Sequence, residues 1–334
     1  MKYCVTVGGS REGGGEKMKK KEKKKGQYVI HEDAEVRIKD MDGIYELMYI
    51  PVRNTVARIV KIDKDHYVDC NSGEIKQFNH KEKRVDNINS LKRSMKKLRD
   101  LINANFRGGK NEGFWTFTYA ENMTNSEQLY NDFKKFWQKF KRWALKNLGT
   151  DKFEYINVVE PQGRGAWHCH VLVKCEELER LFVPNEVLAN LWGHGFVKIK
   201  GLTEVDNVGA YLSAYFADIE FSEEERQAVG VDIGEMCKMA SEGLELVEKV
   251  VDGQKKKFIK GGRLHLYPTG MKFYRSTRGI KKPTTEWATK AEFKEKVGDL
   301  DPYFSKSYEF KYVSPSQTVR KSVVVFEQYN ARKS

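Results

Sequence analysis

Residues 155–174 constrain the fold more tightly than any other stretch of this chain. Tyr155-Ile156-Asn157-Val158-Val159-Glu160 is rich in β-branched and apolar side chains. Pro161-Gln162-Gly163-Arg164-Gly165 is a turn signal, and Ala166 to Lys174 returns as a second strand. The whole reads as an antiparallel hairpin. In 126–148, Leu129, Phe133, Phe136, Trp137, Phe140 and Trp143 recur at helical spacing, the stripe of a helix that packs against a sheet. In 88–106, Ile88, Leu91, Met95, Leu98, Ile102 and Phe106 do the same. Phe114 to Tyr119 reads as a strand between those two helices. A short helix near 184–192, a strand at 195–200 and a helix at 206–219 follow the hairpin. This order fits an α+β fold, one antiparallel sheet covered by helices.

The flanks differ in character. Residues 27–86 read as a small β-rich N-terminal unit, with turns at Asp42-Gly43 and Asn71-Ser72-Gly73. Residues 221–334 read as an α+β C-terminal extension. It opens on an acidic helical stretch running from Val229 to Val251, passes through a basic, turn-rich segment at Lys255 to Pro283, and ends near a strand at Val323 to Phe326. The expected division is therefore a tail at 1–26, the β-rich unit at 27–86, a central domain at 87–220 and the extension at 221–334.

With 60 basic against 47 acidic side chains the chain carries +13. Seven lysines and one glutamate in Lys17 to Lys25 supply six of those charges (7 − 1), so residues 1–26 read as a disordered basic tail. Arg11 to Gly15 can be read as a translated ribosome-binding sequence ahead of Met18, which makes Met18 the expected native start. The five scattered cysteines include no CxxC pair, which argues against a disulfide framework or a cysteine-rich zinc module. No run approaches the roughly 18 apolar residues of a membrane span. The expectation is a soluble, cytoplasmic protein with a polyanionic partner. Lys92, Arg93, Lys96 and Lys97 on the first basic helix, and Arg164 in the hairpin turn, are candidate DNA contacts. Periodicity alone leaves such lysines as either solvated surface or phosphate ligands.

Alternation along Trp167-His168-Cys169-His170-Val171 turns His168 and His170 to one face. Two imidazoles about 7 Å apart along a strand can close on one metal ion, and a tight turn brings Glu160 of the partner strand beside them. Two histidines and a carboxylate make an N/O donor set suited to Mg²⁺ or Mn²⁺. Downstream, Tyr211 and Tyr215 stand four apart, on one face of the expected helix. Taken alone, that spacing suits core packing as well as chemistry.

Together these features resemble the HUH endonucleases that initiate rolling-circle replication in bacterial plasmids, filamentous phages and integrated elements. Phe114-Trp115-Thr116-Phe117-Thr118 is similar to that superfamily's first motif, and His168-Cys169-His170 and the Tyr-x-x-x-Tyr helix to its two others. Ser90 to Ser94, Leu101 to Phe106, Trp192 to Val197, Asn207 to Tyr211 and Gly262 to Pro268 extend the resemblance over about 87–283. It implies an HUH/RRM-like palm and a metal ion (Mg or Mn) held by His168, His170 and Glu160. It also implies that Tyr211 and Tyr215 are the nucleophiles of a transesterase acting on single-stranded DNA at a replication origin. The product is a 5′-phosphotyrosyl adduct with a free 3′-OH to prime synthesis. No GxxxxGK[ST] loop occurs in the sequence, so a host helicase and replication machinery are the implied partners. Relatives commonly place a lysine three residues after each tyrosine, where this chain has Ala214 and Asp218. That departure keeps open a non-catalytic, sequence-specific DNA-binding protein on the same fold. An RNA-binding module is a third reading, because a sheet with exposed aromatics also stacks unpaired bases.

Overall fold

A computed structural model of the chain describes residues 28–52, 59–70, 72–78, 88–161, 166–202, 207–209, 212, 219–220, 246–251, 254–259, 267, 271–313 and 318–333. The basic tail, Met18, Arg164, Tyr211, Ala214, Tyr215 and Asp218 lie outside them. In chain order, β1 (Glu35–Asp40) and β2 (Ile44–Tyr49) form a hairpin, and β3 (Ile59–Lys61), β4 (His66–Asp69) and β5 (Ile75–Gln77) form a small sheet of their own. Then come α1 (Ile88–Asn103), β6 (Glu112–Phe117), α2 (Ser126–Leu148), β7 (Glu154–Pro161), β8 (Trp167–Lys174), α3 (Asn185–Trp192) and β9 (Val197–Lys200). β10 (Ile219–Glu220), β11 (Leu246–Val251) and β12 (Gln254–Ile259) make a third sheet. The chain continues through β13 (Tyr274–Ser276), β14 (Thr284–Thr289), α4 (Lys290–Val297), β15 (Phe304–Val313) and β16 (Val319–Asn330). The fold is α+β with antiparallel sheets, as the sequence order predicts. Among the described residues, no helix is long and apolar enough to cross a membrane.

The central sheet has the order β13-β7-β8-β6-β9. α2 covers one of its faces for reasons visible in its sequence. Asn125 caps the helix by accepting from the backbone N–H groups of Glu127 and Gln128, and Gly149 ends it at φ +78°. Between those ends Leu129, Phe133, Phe136, Phe140 and Ala144 are buried in one stripe. Phe136 meets Phe117 at 4.5 Å between ring centroids, and Phe140 meets Trp115 at 5.1 Å. Each such ring, once buried, stabilises the fold by about 1.5–3 kcal/mol. Trp115 and Phe117 face α2, so Phe114 and Thr116 face away from it, toward the side on which the histidines lie.

The second large sheet has the order β14-β1-β2-β16-β15, so strands from both ends of the described chain share one set of hydrogen bonds. Asp42-Gly43 makes the tight β1–β2 turn with φ +60° and +88°, as that dipeptide requires. Phe293 of α4 seals the inner face between Tyr45 and Tyr329. Two expectations are corrected here. The helical stretch carried through to Val251 ends instead in strand β11, where β-branched Val247, Val250 and Val251 pair with β12. The helix expected over 206–219 gives way at Ile219 to β10, which also pairs with β12.

Charged side chains join the two large sheets. Arg332 donates to the backbone carbonyls of Asp42 (2.8 Å), Met41 (2.9 Å), Phe106 (3.1 Å) and Asn103, linking the β1–β2 turn to the end of α1. Glu46 of β2 is buried between Lys96 of α1 (2.5 Å) and Lys39 (3.4 Å), and Lys39 also binds Asp100 at 2.7 Å. Burial pushes the Glu46 carboxyl up, but Lys96 and then Lys39 more than offset it and hold it below the usual carboxylate range. A carboxylate depressed in the folded state contributes stability that is complete above its unfolded pKa of about 4.3. That stability is lost as the pH falls through the folded value. Glu46→Gln should therefore cost about 2–3 kcal/mol near neutrality, less than a fully buried pair because Lys96 is partly exposed. Its melting temperature should converge on that of the wild type as the pH drops from about 5 to about 3. A gap that stays constant across that range would show that the ion pairs contribute nothing.

Candidate metal centre

The hairpin register builds the site. Glu160 of β7 pairs directly with His168 of β8, and Val158 pairs with His170. Opposed residues of an antiparallel pair share a face, so the two imidazoles and the carboxylate converge. Their ligand atoms all lie within 4.8 Å of one another. Glu160 and His170 are buried, while His168 is partly exposed, which leaves the cluster reachable from its side. The hairpin position of Glu160, which the sequence left to turn geometry, is thus fixed by pairing.

His170 is held on three sides. Its Nε2 lies 2.5 Å from Glu160 Oε2, and its Nδ1 lies 3.0 Å from the Thr116 hydroxyl. Thr116 is its cross-strand partner on β6. The Phe114 ring stacks on the imidazole at 5.6 Å and 7° between planes. Nδ1 held by a hydroxyl and Nε2 aimed at the shared centre is the arrangement that orients a metal-ligating histidine. The donor set, two nitrogens and one carboxylate oxygen gathered on one side, fits a divalent ion with further positions open to oxygen ligands. The cluster can hold a metal ion.

Of the candidate DNA contacts, Lys92, Arg93 and Lys97 are exposed on α1. Lys96 is bound to Glu46 and Asp100. Nothing in the sequence distinguishes it from its neighbours, because helical periodicity marks the face of a lysine but not its partner on another element. The residues on either side of Tyr211 are well anchored. Val208 and Leu212 are buried in the central core, and the Gly209 N–H donates to Asn103 Oδ1 at 2.8 Å. A Cβ on Gly209 would collide with Asn103 Oδ1 and come within 2.6 Å of the Arg99 carbonyl, so only glycine permits this approach to α1.

Sequence reading missed the stripe beside the histidines. Lys198 of β9 pairs with Thr116, which places it in one transverse row with Thr116 and His170. Phe196, two residues earlier, is 79 % exposed. The available signal was the alternation Phe196, Lys198, Lys200 against Val197 and Ile199, which requires knowing that 197–200 is an edge strand. No curated protein and no solved structure matches the chain. Residues 112–220 match the family model of the ORF2-type replication-associated proteins, and this part of the chain, with the histidine hairpin inside it, belongs to a rolling-circle replication initiator family.

Proposed function

We propose that the chain nicks and rejoins single-stranded DNA at a replication origin by metal-assisted tyrosine transesterification, as HUH endonucleases do. The observation that carries this reading is the Glu160, His168, His170 cluster, formed by cross-strand pairing inside the family-matched segment. A bound divalent ion would supply Lewis-acid charge at the non-bridging oxygens of the scissile phosphate. His168, His170 and Glu160 would hold it, and Thr116 and Phe114 would fix the orientation of His170. The Tyr211 hydroxyl attacks phosphorus in line, its O–P bond forming as the bond to the 3′ oxygen breaks. The phenolic proton is lost to solvent and the departing 3′ oxygen takes one up, giving a 3′-OH. Tyr215 stands ready for the second transfer. Gly209 and Leu212, anchored against the core, support placing that segment near the hairpin. In this reading residues 87–220 are the endonuclease unit, acting in the cytoplasm with a host helicase.

The test is incubation of the full chain with single-stranded origin DNA and Mn²⁺. A covalent protein–DNA band is expected. Binding without that band would support the non-catalytic DNA-binding reading instead, in line with Ala214 and Asp218. Affinity for the single strand should also fall with salt, log K against log salt having a slope of about −0.7 for each phosphate contacted. A flat salt response would remove Lys92, Arg93 and Lys97 from the interface.

A further inference from the structure

We infer that the edge strand β9 forms a subsite for the unpaired nucleotide next to the scissile phosphate, Phe196 stacking on its base and Lys198 binding its phosphate. The inference rests on the nuclease reading of the neighbouring cluster.

Register gives the placement. Thr116 pairs with His170 on one side and with Lys198 on the other, so the three share a face. Two strand spacings put the Lys198 backbone about 10 Å from that of His170, within the combined reach of a lysine side chain and one nucleotide. The Thr118 N–H and hydroxyl both donate to the Phe196 carbonyl, at 2.9 and 3.0 Å, which continues the ladder one residue pair beyond β9. Phe196 therefore falls on the same face as Lys198. A Cβ on Gly195 would lie 2.6 Å from the Thr118 carbonyl, and the Ala120 N–H donates to the His194 carbonyl at 2.9 Å. These contacts fix the backbone from which the Phe196 ring projects.

Inward-facing Val197 is 7 % exposed, whereas Phe196 is 79 % exposed and Lys198 is also exposed. Lysines on an edge strand are a common device against edge-to-edge pairing. An exposed phenylalanine works against that device, since it adds apolar surface where the lysines are there to repel. A base answers both features. Its π-face is satisfied by the ring, and its phosphate by the ammonium. Continuity with the metal cluster, one strand away through Thr116, favours the strand of DNA that the cluster engages.

Fluorescence anisotropy with a fluorescein-labelled, mixed-sequence 20-nucleotide single-stranded DNA, in EDTA so that no cleavage occurs, tests this on the full chain. Phe196→Ala should weaken binding by about 5- to 150-fold, the range of one lost base–aromatic stack. Phe196→Trp should restore it and Phe196→Leu should not. Lys198→Ala should make the salt slope shallower by about 0.7. Because both side chains are exposed, melting temperatures should be unchanged. If the wild type binds and Phe196→Ala binds equally well, the subsite is wrong while the nuclease reading stands. If the wild type binds no single-stranded DNA, the nuclease reading itself fails and takes the subsite with it. Tighter binding of the same sequence as RNA, or a change in oligomeric state on Phe196→Ala with DNA affinity intact, would overturn the assignment in favour of RNA or of a second copy of the chain.

Discussion

His170→Ala should abolish Mn²⁺ binding at the cluster and reduce cleavage of single-stranded origin DNA by on the order of 10³-fold or more, the scale of losing a group that stabilises transition-state charge. The imidazole is one of two nitrogen donors, and it is also the group against which Glu160, Thr116 and Phe114 are arranged. His168→Ala should have the same effect on cleavage with less disturbance of the core, because His168 is only partly buried. It is the cleaner variant should His170→Ala fold poorly. Thr116→Val, which keeps the ligand but removes its orienting hydroxyl, should lose about 10- to 100-fold in metal affinity. Isothermal titration with Mn²⁺ in the absence of DNA separates metal loss from DNA loss. Wild-type cleavage by either histidine variant, metal present, would refute the metal-site assignment.

Tyr211→Phe should eliminate the first covalent protein–DNA adduct altogether, since phenylalanine has no nucleophilic oxygen. Tyr215→Phe should leave the first cut intact and impair strand transfer or termination. The order rests on the resemblance, in which the position of Tyr211 is the one that single-tyrosine relatives use. A tyrosine of ordinary pKa, about 10, is a weak nucleophile at neutral pH, so both variants depend on the metal cluster for any activity they retain. Mass spectrometry of the DNA-linked peptide reads the outcome directly. A DNA-bearing Tyr215 in the first-round product would reverse the assignment, and an adduct surviving in the double variant would exclude both tyrosines.

What the sequence makes legible is local. The hairpin, α2 and its aromatic stripe, and the shared face of His168 and His170 all follow from periods of 2 and 3.6 residues, which short windows contain. Glu160 needs one further step, the register across the turn. Interactions between distant segments are not legible. Nothing in 35–49 or 319–330 announces that β2 and β16 are neighbours, because any strand with an alternating pattern could occupy that place. β13 is hidden in a segment that reads as basic and turn-rich, and it is only Tyr274 to Ser276, placed on the sheet edge by pairing with β7. Lys96 looks like its exposed neighbours on α1 until Glu46 arrives from another sheet. Phe196 and Lys198 carry no motif, and their meaning comes from which side of an edge strand they occupy.

The shared outer sheet has a consequence for the order of folding. β16 is flanked by β2 and β15, so it is an inner strand, yet it comes from the far end of the described chain. During synthesis β1 and β2 emerge early and wait with one edge open until residues 319–330 have left the ribosome. β6 to β9, by contrast, are close in sequence and can pair as soon as they appear. The histidine hairpin therefore has a local route to its structure, whereas the frame braced by Arg332 closes last. A nascent chain stalled before residue 319 would hold an assembled ligand cluster beside an unfinished sheet whose open strand edge is free to pair with another chain.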